Sequence, residues 1–421
     1  MLCLLYFAQG LPRGFLTIVF ISYLTQQGMA VSDAGILMAM FILPGTLKFV
    51  WGPIIDSISF AKLGRRRPWI IIAQIFMALS LLCIVFIDSP IKNLVIFGWI
   101  YFFHNCFVSL QDVATDALTL EVVPESELGR INGLMLGSKI IGTGVGTALL
   151  AWIMQGFGVT AAVLFQVISL IIITILPIVS LERPHDFYFL LGKNSSENSP
   201  RKVLKVAHPI RILKDVLSLF RLKSAVIFII FGTLISVSEG IVNVIVKPLY
   251  TTQLQWTYVE FSFVSGISTA LQLIAGLIGG FCADRIGRRK VMFIGYLSYG
   301  SLSILFAIFS VFWSDYWVAF LYLVMIQPAT IFGSAAFFSM AMKLSWQQSA
   351  ATIFSFIMAV CLAGQAFGSW FVGPLKDEFH LSYQMIFTIA GLFMIVPLIL
   401  LLIIKEKEID EARQIALSVS L

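Results

Sequence analysis

Charge is scarce in this chain. Asp, Glu, Lys and Arg make up 12% of its 421 residues, while 59% are hydrophobic and the mean hydropathy is +0.95. Soluble domains carry about 25% charged residues, so a water-soluble globular fold is excluded. Histidine is nearly missing: His104, His185, His208 and His380 are scattered, without H-E-x-x-H or other ligand spacing. Neither a metal site nor a metalloenzyme is expected. Cys3, Cys83, Cys106, Cys282 and Cys361 lie in or beside apolar runs, with no paired spacing in an external loop, which argues against a disulfide or zinc framework. No P-loop is present, so nucleotide hydrolysis within the chain is not expected. No cofactor or catalytic residue is assigned.

What remains is long apolar runs. About twelve are long enough for a hydrocarbon core that takes ~20 helical residues to cross. They begin near residues 2–24 and end near 382–404. The runs are continuously apolar, unlike the alternating strands of a membrane barrel. The expected fold is therefore an all-α polytopic membrane protein. The chain enters its first run at once, without a basic leader, so no cleavable signal peptide is expected, and a cytoplasmic lead-in upstream of Met1 is.

Orientation follows from the basic residues. Of 28 Lys and Arg, 22 fall in alternate loops and the termini, and only Lys92 and Lys376 in the loops opposite. Basic loops face the cytoplasm, which places both termini there. The sequence pI near 9.0 reflects this bias on short membrane-edge loops, not nucleic-acid binding.

One basic signature occurs twice. Residues 52–67 read GPIIDSISFAKLGRRR, and residues 280–290 read GFCADRIGRRK. Each leaves an apolar run at a glycine, reaches an aspartate and closes with Gly-Arg-Arg; Asp56 and Asp284 lie 228 residues apart. Repetition at a little over half the chain length predicts two related bundles. Expected boundaries are 1–182 and 223–405, separated by a cytoplasmic linker at 183–222 and followed by a tail at 406–421. Gly52 and Gly280 are expected at close helix contacts. Asp56 and Asp284 are expected near hairpin arginines and a helix start. A gating role is expected for Asp56, Arg65, Arg66, Asp116, Asp284, Arg285, Arg288 and Arg289. In the linker, Ile210, Leu213, Leu217 and Phe220 alternate with charged residues as in an interfacial amphipathic helix.

A few polar residues interrupt the spans. In the first, Gly10, Pro12 and Gly14 predict irregular backbone of the kind tolerated beside a cavity. Gln9, Arg13 and Thr17, at steps of four, share one face. In the fourth, Tyr101, Asn105, Ser109, Asp112 and Asp116 form a polar stripe. Asp112 suits a substrate or proton role or a structural ion pair, and Asp116 a partner for the basic hairpin. The fifth span carries Lys139 among Gly133, Gly137, Gly142, Gly144 and Gly146, a helix-packing surface. The seventh places Glu239, Asn243 and Lys247 on one face. Buried charges without partners cost at least ~2.5–3.5 kcal/mol each. The embedded cations Arg13, Lys48, Lys139 and Lys247 outnumber Asp112, Asp116 and Glu239, so an anionic or zwitterionic ligand is expected. Its candidate contacts are Arg13, Gln9, Lys48, Asn105, Lys139 and Asn243, with Asp112 and Glu239 as candidate proton carriers.

The second hairpin matches the G-x-x-x-D-R-x-G-R-R/K signature, and the chain resembles the major facilitator superfamily. The strings LKFVWGPIID, LGRRRPW with Gln74, SLQDVATDA and VVPESELGR narrow the likeness. They resemble AmpG-type muropeptide permeases and, equally, eukaryotic acetyl-CoA transporters, well over residues 5–180 and loosely beyond. The resemblance implies two pseudo-symmetric six-helix bundles and a secondary carrier working by alternating access. It further implies proton-driven movement of a bulky anionic metabolite, muropeptide-like or acyl-CoA-like. Expected partners are a small-molecule substrate, protons and the lipid bilayer, with no nucleic acid. The expected setting is a bacterial inner membrane, with the protein acting as a monomer. A siderophore or drug carrier, or a non-transporting sensor, remains an open alternative. The well-kept second hairpin and the count of about twelve spans depart from the best-known muropeptide permeases.

Overall fold

The structure is a computed structural model describing residues 1–57, 64, 66–87, 89–124, 127–180, 220, 222–345, 350–404 and 408. Arg65, the side chain of Asp56, nearly all of the 183–222 linker with its expected amphipathic helix, and the tail after 405 (Glu408 apart) lie outside it.

The described chain is helical. Its main helices are α1 (Leu2–Gly14), α2 (Ile21–Gln26), α3 (Val31–Thr46), α4 (Lys48–Ser57), α5 (Arg67–Val85), α6 (Leu94–Val122) and α7 (Leu128–Val179). They continue with α8 (Lys223–Pro248), α9 (Tyr258–Ile286), α10 (Arg288–Ile308), α11 (Tyr316–Lys343), α12 (Ala350–Gly373), α13 (Tyr383–Ile395) and α14 (Leu398–Ile403). Among the described residues, ten stretches are long and apolar enough to cross a membrane. One of them, within α7, turns at Gly158, whose φ of 83° and ψ of 173° no helix tolerates, and so counts as two. With the shorter apolar helix Val31–Thr46 the total is twelve, as expected from the sequence.

Three stretches wind as π-helix, and each follows or begins at a proline. Phe15–Phe20 follows Pro12, Leu249–Gln253 follows Pro248, and Pro374–Glu378 opens on Pro374. Proline removes a backbone donor and crowds the preceding turn; a widened turn re-pairs the neighbouring groups. The irregularity expected in the first span is thus a proline followed by a π segment.

The chain divides into two compact units, Met1–Phe20 with Leu47–Val206, and Ile21–Thr46 with Ala207–Leu421. Within the second unit, α3 lies in backbone contact with α12. A Cβ at Gly35 would lie 2.3 Å from the Ser369 carbonyl oxygen, and one at Gly373 2.5 Å from the Ser32 Cα. The Ser32 N–H, at the start of α3, also donates to the Asp377 carboxylate at 2.6 Å, a charge the helix N-terminus favours.

In the first unit, α1 lies against the early part of α7 in backbone contact. A Cβ at Gly10 would meet the Lys139 carbonyl at 2.1 Å, and one at Gly146 the Leu11 carbonyl at 2.1 Å. Arg67, 1% exposed, donates to the Pro177 and Ile178 carbonyls at 2.9 and 3.2 Å, satisfying the C-terminus of α7. In the second unit, α12 approaches α8 through Gly240, Gly364 and Gly368, and α9 approaches α11 through Gly279. The expectation for the hairpin glycines fails: a Cβ at Gly52 or Gly280 would meet nothing within 4 Å. Gly52 lies in the middle of α4 and Gly280 inside α9; Gly279, one residue before Gly280, makes the close approach. Large apolar side chains such as Phe157, Leu277, Val311 and Leu402 are mostly exposed, as a lipid-facing surface requires.

Gly146→Ala is expected to destabilise the first unit by about 1–3 kcal/mol, because its methyl meets backbone that cannot yield. Gly133→Ala, where a Cβ meets nothing within 4 Å, serves as the control. Thermal unfolding in detergent should separate the two; equal melting temperatures would refute the packing role.

Candidate functional site

The polar residues that one helical periodicity marks out in α6 converge with α1, α4 and α7 inside the first unit. Asp112 is 6% exposed on α6. One of its carboxylate oxygens accepts from the Lys48 ammonium on α4, and the other from Lys139 on α7 at 3.3 Å. Asp112 and Lys139 lie in stretches long and apolar enough to cross a membrane, where an isolated charge is costly and a matched one is tolerated.

The backbone explains why Lys139 stands there. Its carbonyl lies at the Gly10 contact that holds α1 against α7. Its ammonium lies 5.3 Å from the centre of the Tyr6 ring, a cation–π distance. The Tyr6 hydroxyl donates to Asp116, one turn beyond Asp112 on α6. Asp116, Tyr6, Lys139, Asp112 and Lys48 are therefore linked in sequence by polar contacts. Sequence reading missed Tyr6, because an aromatic in an apolar run carries no periodic signal. It shares the α1 face of Gln9 and Arg13, at steps of three and four.

Arg13 is exposed, and the Asp112 charge acts on it as well as on both lysines. Its carbonyl accepts from Thr17 at 2.7 Å, so the expected Gln9, Arg13 and Thr17 face is present locally. Gln9 is 1% exposed, and neither of its amide atoms finds a partner among the described residues. A buried amide without partners carries a desolvation cost. Asn105, half-buried on α6, lies two turns from Asp112.

On the basic hairpin side, the contacts of the described residues run through α6. Arg66 pairs with Glu121 at 3.0 Å, and Asp116 is held by Tyr6. Glu121 lies one turn past Asp116 on the same helix, where the polar stripe had been read as ended. In the second hairpin, Asp284 lies in the last turn of α9 and is exposed, with no ion pair among the described residues. Arg288 donates to the Ser339 hydroxyl at 2.7 Å, and Arg285 stacks over Phe281 at 4.3 Å. Arg289 makes no ion pair among the described residues. Gly287, with φ of +94°, provides the sharp turn between α9 and α10.

In the second unit Glu239 and Asn243 are half-buried on α8, and Lys247 is 4% exposed. Gln327 on α11 donates to the Asn243 side chain at 3.1 Å, and Lys247 donates to the Asn243 carbonyl. Glu239 makes no ion pair among the described residues. These groups share one helix face, as their spacing predicted. No cluster of three or more potential metal ligands occurs among the described residues.

Comparison with known proteins agrees with this architecture. The family model of the Major Facilitator Superfamily matches residues 2–238 and 228–418. AmpG 1 of Rickettsia conorii, named as a transporter, is 23% identical over 61% of this chain and 62% of its own length. AmpG 3 of Rickettsia prowazekii is 26% identical over 61% of each. The chain thus spans about three-fifths of the length of these two relatives. A crystal structure of a point mutant of the nucleoside transporter NupG aligns with a TM-score of 0.72 over 96% of this chain and 98% of that one. At 14% identity that likeness concerns the fold alone. The chain is that of a multi-pass membrane protein similar in sequence to these AmpG-named relatives, and it belongs to the Major Facilitator Superfamily.

Proposed function

We propose that the chain is a proton-coupled secondary carrier that moves a bulky anionic or zwitterionic metabolite by alternating access. The observation that carries this reading is the Lys48–Asp112–Lys139 pairing, with Arg13 a further cation on α1 of the same unit. With Asp116 included, three cations face two carboxylates, and a ligand anion relieves the surplus. Arg13 and Lys139 hold the anion, Lys48 joins them, and Gln9 and Asn105 supply neutral contacts. The unpartnered Gln9 amide supports a ligand role, since a polar group left unsatisfied in the resting protein can be satisfied by substrate. The sequence likeness makes a muropeptide-like or acyl-CoA-like compound the first substrate class to try.

Of the two proton-carrier candidates, Glu239 has the stronger support. Asp112 already has two ammonium partners, which hold it charged. Glu239 has no ion pair among the described residues, and taking up a proton removes the cost of its charge at depth. The two basic hairpins act as cytoplasmic gates, with Asp56, Arg65, Arg66 and Asp116 in the first and Asp284, Arg285, Arg288 and Arg289 in the second. The carrier works as a monomer with both termini cytoplasmic.

The test is flux into proteoliposomes, after a thermal-shift screen against muropeptides and acyl-CoA esters identifies a ligand. Uptake against a concentration gradient should require an imposed proton gradient. Glu239→Gln is expected to abolish that accumulation and to leave counterflow exchange intact; accumulation equal to wild type would overturn the assignment. Asp284→Ala is expected to slow transport while equilibrium affinity stays within about twofold, a change under ~0.5 kcal/mol. A large loss of binding in a folded Asp284→Ala protein would remove its gating role.

A further inference from the structure

The two lysines do not share an oxygen. Lys48 takes one oxygen of the Asp112 carboxylate and Lys139 takes the other. Their ammonium groups are therefore spaced to bridge two oxygens on a single atom, as a carboxylate or a phosphoryl group presents them. Their exposure is graded: the Lys48 side chain is 39% exposed, Lys139 20% and Asp112 8%. Of the three side chains Asp112 is the most buried and Lys48 the least.

Resting on the anion-binding reading above, we propose that Asp112 is an internal stand-in for the substrate's anionic group, which displaces it from the two lysines. The lysines differ in freedom. Lys139 is fixed by the Gly10 backbone contact and by the Tyr6 ring. Lys48, the more exposed, is the one that swings from Asp112 to the ligand. Two consequences follow. The empty site is internally paired, so binding is an exchange of one anion for another and affinity is held down by the competing carboxylate. A ligand must offer two oxygens on one centre to replace it, so hydroxyl or amide groups of neutral compounds cannot compete. Asp112 thereby determines specificity.

The test uses the full chain in phosphatidylcholine nanodiscs, with inorganic phosphate and acetate as separate probes at constant ionic strength. Binding is read by calorimetry and by the shift in unfolding temperature. Asp112→Asn is expected to bind at least one probe about tenfold more tightly than wild type, or better. Which probe gains more identifies the substrate's group as phosphoryl or carboxylate. Asp112→Glu, which keeps the charge, should stay within about threefold of wild type. Lys139→Gln should remove the response in either background. Equal or weaker binding by Asp112→Asn overturns the stand-in role while leaving the anion site in place. No response to either probe, in wild type or in Asp112→Asn, overturns the anion-site reading together with this inference. Asp112→Ser is the second neutral variant; should neither neutral variant fold even in saturating phosphate, an external anion cannot replace the carboxylate and the proposal fails.

Discussion

A charge in hydrocarbon must find its partner inside the chain, because no water is there to take its place. In the first unit that requirement gathers four helices around one carboxylate. Lys48 on α4 and Lys139 on α7 reach Asp112 on α6, and α1 closes the cluster through Tyr6 and Gly10. The glycine contact and the ion pair depend on each other. Backbone contact at Gly10 sets where the Lys139 carbonyl stands, and hence how far its ammonium extends over the Tyr6 ring toward Asp112. A side chain in place of Gly10 would move the cation as well as the helix.

Much of this was legible because membrane helices obey few rules. Continuous apolar runs predicted helices, and the kink at Gly158 separates the fifth and sixth spans close to where their sequence ends. The α6 stripe was readable because polar residues in an apolar helix stand out at steps of three and four. Gly142 and Gly146 were readable for the same reason, and both meet α1 backbone. Partners across helices were not readable. Nothing in one helix's periodicity tells which residue of another faces it. Glu121 as the partner of Arg66, and Tyr6 as the donor to Asp116, therefore emerged only from packing. Gly52 and Gly280 misled because both are helical glycines whose open side meets no other helix. A helical glycine that packs and one that does not look alike in sequence until a neighbour is present.

The grouping of α3 with the second unit has the same origin. Sequence continuity argues for neighbours in the chain, but backbone contact depends on small residues from separate helices meeting. Gly35 beside Ser369 and Gly373 beside Ser32 provide two such meetings, and the Asp377 carboxylate at the start of α3 adds a third tie. The unit boundary accordingly falls within the first span, at the end of the π-helical turn Phe15–Phe20, and again at Thr46, where α3 gives way to α4. Both are places where regular i to i−4 pairing is already interrupted, so a change of direction there breaks few further hydrogen bonds.

The two halves then treat the same problem of buried charge in opposite ways. The first unit pairs the Asp112 carboxylate with two ammonium groups, from α4 and α7. The second places Glu239 on α8 with no ion pair among the described residues, two turns from Lys247, whose ammonium is turned onto the Asn243 carbonyl. Asn243 is committed on both sides, its carbonyl to Lys247 and its side chain to Gln327. Lys247 is thus satisfied within its own helix, by the carbonyl one turn before it. The described ionisable groups of the two units thus differ in their partners: Asp112 is held by ammonium groups from two other helices, while Lys247 is satisfied within its own.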